Sequence, residues 1–209
     1  MIIFAIISTM HALPSYRLAS MVTATAIVAA AIGITSPKAR AEVSLNLQTK
    51  YYPATINTNV PMQKQLLNAS PISENSEKYI GHTSSKINWR FRYREDASGQ
   101  CRMTSNQTTL NTTVTMPEIY GATDRQSNLF KAFYAALWRH ELGHYNIAAK
   151  TAFTIDFKLT AIPPQPSCAQ LSTTANELAR TLILNMNEAD RRYDNDTNHG
   201  RLQGAFLSE

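Results

Sequence analysis

The chain has 209 residues, 44% of them hydrophobic, with 20 Lys+Arg against 15 Asp+Glu and a formal net charge of +5. Its length bounds it to one domain behind a leader, and no basic run suggests a nucleic-acid surface, so no nucleic acid is expected as partner. The first 41 residues hold no Asp or Glu and include an unbroken apolar and small-residue run at 21–34, followed by Ala39-Arg40-Ala41. That pattern reads as a secretory signal, with Arg17 as its positive start and cleavage before Glu42. A start at Met10 would make it more ordinary, and an uncleaved anchor over residues 18–34 is the competing reading. Domain boundaries follow as 1–41 for the signal and 42–209 for a single domain. Removing the leader leaves 17 basic and 15 acidic residues, so the high pI is partly a property of the leader.

In the exported part, residues 45–52 read as a strand. Residues 86–94 alternate completely, with Ile87, Trp89, Phe91 and Tyr93 on one face and Lys86, Asn88, Arg90, Arg92 and Arg94 on the other. That is a half-buried strand with a solvated basic face. Asp96-Ala97-Ser98-Gly99 is turn chemistry. Leu110, Thr112, Val114 and Met116 alternate with polar residues in a further strand over 108–116, ending at Pro117. Cys101 and Cys168 are the only cysteines, and an even pair in an exported chain reads as a disulfide. Its loop would stabilise the fold by roughly 4 kcal/mol in the chain-entropy model.

A long helix comes next. Thr123-Asp124-Arg125-Gln126 fits a capping box, and Pro163-Pro164 stop the helix at its other end. Phe130, Phe133, Leu137, His140, His144, Ile147, Ala148 and Thr151 recur at spacings of three and four, so both histidines continue the apolar stripe. Within it lies His140-Glu141-Leu142-Gly143-His144. Imidazoles four apart leave one helix face and can hold Zn²⁺, and Glu141 can then take a proton from a water that the metal activates. A buried histidine pair without a partner would be costly to desolvate. After a Pro-rich connection, Thr174-x-x-Glu177 is a second capping-box candidate. Leu178, Leu182, Met186, Ala189 and Tyr193 form the stripe of a second helix, antiparallel to the first.

A catalytic zinc needs a third protein ligand and one open position. Metal-competent side chains cluster where the second helix runs out, at Tyr193-Asp194-Asn195-Asp196-Thr197-Asn198-His199-Gly200. The bland alternative is a polar helix end with Gly200 left-handed. His-Glu-x-x-His followed some fifty residues later by Tyr-Asp-x-x-Thr-x-His-Gly resembles a bacterial family of uncharacterised proteins described as predicted secreted zinc-dependent proteases. The strand around Trp89, Cys101, the strand end at Pro117 and the tail Gly200-Arg201-Leu202-Gln203-Gly204-Ala205 agree with it, over residues 84–206. The resemblance implies a zincin-like metallohydrolase in the envelope or outside the cell. It supports His140, Glu141 and His144, and marks Tyr193, Asp194, Thr197 and His199 as functional without assigning roles.

On chemical grounds His199 is the first choice for third ligand, with Asp194, and Thr197 beside it, supporting the ligands from behind. The competing assignment makes Asp194 the ligand and frees His199 to stabilise an oxyanion. Tyr193 is a candidate hydrogen-bond donor to the tetrahedral intermediate, or simply the end of the apolar stripe. The expected fold is α+β and zincin-like: a small antiparallel sheet on the long His-Glu-x-x-His helix, backed by the second helix. The expected function is a periplasmic or secreted zinc metalloprotease with a peptide or protein substrate, held in no membrane once the signal is cleaved. An extended peptide could add to the strand at 108–116. Alternatives are a zinc amidase of cell-wall peptides, or a non-catalytic envelope binding module with structural zinc.

Overall fold

The structure, a computed structural model, describes residues 40–74 and 76–207. The signal reading falls on residues outside that range, apart from its last two positions. Strand β1 (Arg40–Thr55) is followed by helix α1 (Met62–Ala69), a short hairpin β2 (Ser73–Glu74) and β3 (Glu77–Lys78), then strands β4 (His82–Glu95) and β5 (Cys101–Tyr120). Helices α2 (Asp124–Thr160) and α3 (Cys168–Thr197) and a 3₁₀ turn (Arg201–Gln203) complete it. The fold is α+β, as expected. Residues 53–80, including α1 and the hairpin, carry no periodicity long enough to have announced them.

The main sheet has the order β1-β5-β4. β4 pairs antiparallel with β5, but β1 pairs parallel with it, Leu45 opposite Leu110. The expected antiparallel sheet is therefore corrected to a mixed one. Alternation tells which face of a strand is buried but carries no strand direction. A parallel pair needs only a long connection, which the stretch from α1 through β4 provides. The expectation of peptide pairing along 108–116 is corrected too. Those residues lie in the central strand, whose two edges are already taken by β1 and β4. β5 also runs through Pro117 to Tyr120 rather than ending there.

Helix α2 starts where its capping box places it. The Gln126 N–H donates to Thr123 Oγ1 (3.3 Å) and the Thr123 N–H to Gln126 Oε1 (3.0 Å). Helix α3 begins earlier than Thr174, with Ser167 as its N-cap accepting from the Gln170 N–H at 3.2 Å. Thr174 is an interior residue, because Ser167 follows Pro166 and caps first. Cys168 opens this helix and is bonded to Cys101 at the start of β5. Beside that disulfide, Cys101 and Gln165 exchange backbone hydrogen bonds of 2.8 and 2.9 Å.

Both helices pack on one face of the sheet, with α3 tied to β4 by Trp89 Nε1 donating to Asn176 Oδ1 (2.9 Å). One buried cluster joins Ile87, Leu110 and Ile155 to Ala148, Ala152, Ala175 and Ala179. The alanines let α2 and α3 approach closely, as small side chains at a helix crossing do. A second cluster packs Phe133 and Leu137 of α2 against Val114, Met116, Ile56 and Leu66. Along α2 the first cluster begins at Ala148 and the second ends at Leu137. Between them, at the seam, lie His140, Glu141 and His144.

Candidate metal centre

On α2, His140 and Glu141 are each 3% exposed, and His144 is half-buried. The end of α3 runs beside them, as the antiparallel expectation has it, and brings Asp194 onto both imidazoles. His140 Nε2 and His144 Nε2 are 3.4 Å apart, and Asp194 Oδ1 lies 3.2 Å from the first and 3.1 Å from the second. A tetrahedral ion with bonds of about 2.0–2.1 Å holds neighbouring ligand atoms roughly 3.3 Å apart. The triangle His140–His144–Asp194 thus has the edges of one face of such a site, and these three residues form a group that could hold a metal ion.

The ring nitrogens turned away from that triangle are also engaged. His144 Nδ1 lies 3.1 Å from Asp190 Oδ1, and His140 Nδ1 lies 3.0 Å from Gln203 Oε1. With Nδ1 as the donor in each ring, both Nε2 atoms present lone pairs to the centre. The Gln203 bond belongs to a closed loop. Gln203 Nε2 donates to the Tyr193 hydroxyl (3.0 Å), which donates to the His140 carbonyl (3.2 Å). Each link of that loop pairs a donor with an acceptor when His140 carries its proton on Nδ1, so the loop favours that tautomer.

Charge follows from this packing. Burial disfavours the charged form of His144, yet its bonds to Asp190 and Asp194 win and push its pKa up to about 10, so without an ion its Nε2 also carries a proton, which metal binding has to displace. Burial likewise opposes charge on Asp194, but the two imidazoles hold its carboxyl well below the usual carboxylate range. Burial raises Glu141, while the Thr83 hydroxyl and the nearby histidines work the other way. Thr83 Oγ1 donates to Glu141 Oε2 at 2.7 Å. A Cβ on Gly81 would stand 2.7 Å from Glu141 Oε1, so only glycine leaves room for this carboxylate.

His199, expected first as third ligand, stands outside the triangle. Its Nδ1 is 3.7 Å from Asp194 Oδ1 and its side chain is 52% exposed. Asn198, His199 and Gly200 have φ of 50°, 48° and 79°, so α3 ends at Asn198 and three successive left-handed residues turn the chain. The His199 ring lies 5.6 Å from that of Tyr79, and both line a cleft of about 410 Å³ that also holds the triangle and Glu141. Tyr193 does not line this cleft. Its ring stacks on His140 (5.0 Å between centroids, 11° between planes) and its hydroxyl is committed to His140 and Gln203. Thr197 also sits behind the two imidazoles, donating to the Tyr193 carbonyl at 2.7 Å and accepting from the Gly200 N–H at 3.2 Å. Cys101 and Cys168 form a disulfide away from the cleft.

Asp190, Gln203, Thr83 and Gly81 are parts of the site that motif reading missed. Asp190 had a signal, since it precedes Asp194 by one helical turn and so shares its face. Gln203 stood in the tail that agrees with the family resemblance but carried no role, and Thr83 and Gly81 had no signal: the turn after α3, the start of β4 and the residue before it bring them to the site.

Fold and site together define a mixed α+β protein with a candidate metal centre at the seam of its two core clusters. The chain belongs to the family described as bacterial protein of unknown function (DUF922), whose model matches residues 49–200. That span contains all three members of the triangle, Glu141 and His199, and stops short of Gln203. No curated protein and no solved structure matches the chain. Among the described residues, no helix is long and apolar enough to cross a membrane.

Proposed function

We propose that this protein is a zinc-dependent metallopeptidase, exported to the periplasm or beyond. The observation that carries this is the triangle of His140 Nε2, His144 Nε2 and Asp194 Oδ1 with the Glu141 carboxylate beside it in an open cleft. Two imidazoles and one carboxylate would suit zinc, whose catalytic sites take three protein ligands and keep one position open. In this reading Asp194 replaces His199 as third ligand. A zinc ion held there supplies the Lewis acidity that polarises a scissile carbonyl and acidifies water.

Glu141 is the general base. Its raised pKa suits a carboxylate that takes a proton from water and returns it to the leaving amine, and Thr83 holds it in place. His199, in the cleft and free of the triangle, donates a hydrogen bond to the developing oxyanion. Tyr193, behind the helix, positions His140. The free edge of β4 beside Thr83 accepts an extended peptide, in place of the central strand. A structural zinc would call for four protein ligands, and His199 outside the triangle argues against that closure. The Cys101–Cys168 disulfide supports an oxidising compartment, and with it export.

Metal analysis of protein made in zinc-supplemented medium should find about one zinc per chain, the stoichiometry of a single mononuclear site. Digestion of a peptide library should show cleavage that Glu141→Gln reduces by about 10²–10⁴-fold while zinc content stays unchanged. A folded protein that takes up no zinc, or a Glu141→Gln variant that cleaves at the parental rate, refutes the proposal.

A further inference from the structure

Two guanidinium groups at the cleft have no carboxylate partner among the described residues. Arg191, on α3 beside Asp190, and Arg201, opening the 3₁₀ turn, both line the cleft and are exposed. Arg201 lies over the Phe206 ring, 5.5 Å from its centroid, which holds the cation at the mouth without neutralising it. The carboxylates nearest the site are engaged: Asp190 with His144, Asp194 with both imidazoles, Glu141 with Thr83. Lys78, also in the lining, donates its ammonium to the Asn68 and Ser70 carbonyls at 3.2 and 3.3 Å. Among the described residues, Glu74 is the one acidic group lining the cleft without such a commitment.

These two guanidinium groups are forked donors without a carboxylate partner, a chemistry that suits a planar carboxylate. We infer that Arg191 and Arg201 select substrates carrying a carboxylate on their side of the scissile bond, either an Asp or Glu side chain or the free C-terminus. The inference rests on the reading of the cleft as a peptide site. It names the chemical class of peptide that the site accepts. These arginines determine specificity and take no part in bond cleavage.

Binding by the zinc-loaded Glu141→Gln protein tests this without turnover. Three pools of labelled degenerate octapeptides are compared by fluorescence anisotropy. One has a fixed internal Glu and an amidated C-terminus. The second has Gln at that position and a free C-terminus. The third has Gln and an amidated C-terminus. One carboxylate-bearing pool should bind about three- to tenfold more tightly than the neutral pool, as expected of solvent-exposed ion pairs. Which pool does so identifies the source of the carboxylate. The preference should vanish in about 0.5 M salt and in Arg191→Gln/Arg201→Gln. Equal binding of all pools, a preference that survives the double substitution, or no binding of any pool overturns the inference. Hydrolysis of the neutral pool by the native protein reports separately on the peptidase reading. Cleavage without carboxylate preference sinks only the arginine assignment. A preference without any cleavage keeps that assignment and removes the peptidase.

Discussion

Asp194 and His199 are five positions apart, and the turn at the end of α3 decides which of them reaches the histidines. Asp194 still belongs to the helix and lies 3.1–3.2 Å from both Nε2 atoms, whereas His199 has passed into the left-handed turn. In competition with a chelator of known zinc affinity, Asp194→Asn should lose at least about 100-fold in affinity, more than a supporting residue costs. His199→Ala should keep its zinc and lose turnover. The opposite pattern would restore His199 as ligand. Gly143 makes a second test. A mid-helix glycine normally costs about 1 kcal/mol against alanine. Here a Cβ would stand 2.1 Å from the Tyr193 hydroxyl and 2.2 Å from its Cζ. Overpacking of that kind costs about 1–3 kcal/mol, so the clash outweighs the helix propensity. Gly143→Ala should destabilise the protein in urea titration and weaken zinc binding, and adding Tyr193→Ala should relieve the clash.

At the scale of elements, α2 is held to the sheet by a buried polar contact far from the cleft. Asp156 Oδ1 accepts from Asn106 Nδ2 at 2.7 Å, and its carboxylate also faces Thr108 and the Glu42 N–H of β1. Burial raises the Asp156 pKa, and those hydrogen bonds offset the rise only in part. A carboxyl whose folded pKa lies above its unfolded value of about 4 contributes stability at low pH. That contribution is lost as pH rises through the folded pKa. Asp156→Asn does not ionise, so its stability relative to the parent should improve as pH rises from about 4 to 7. Denaturant midpoints across that range measure the difference, and a constant or falling difference contradicts the account.

Over the whole molecule, the Cys101–Cys168 bond closes a sequence separation of 67 residues and ties the start of β5 to the start of α3. Cys101 is fully buried, so the bond should resist reductant until the protein opens. Removing both sulfurs by Cys101→Ala/Cys168→Ala should lower stability by roughly 4 kcal/mol in the chain-entropy model. Zinc uptake by the folded variant should persist, because some 20 residues of helix, about 30 Å, separate Cys168 from Asp190. Loss of zinc from a variant that remains folded would show the disulfide to be coupled to the site.

Local pattern alone determined the α2 start at Thr123, the alternation of β4 and the placing of His140 and His144 on the apolar stripe of α2. Each of these depends on residues within a turn or two of one another, where helical and strand periods act directly. The parallel pairing of β1, the choice of Asp194 over His199 within the triangle, and the supports from Gln203, Asp190 and Thr83 were decided by tertiary structure. Thr83 reaches Glu141 across 58 positions of sequence, and Gln203 reaches His140 across 63. No periodicity spans such distances, since they are set by how the sheet and helices pack. The left-handed turn at 198–200 shows the same division. A polar helix end was legible there, but the direction in which it sends His199 depends on Gly200, where an added Cβ would meet the His140 ring at 2.9 Å.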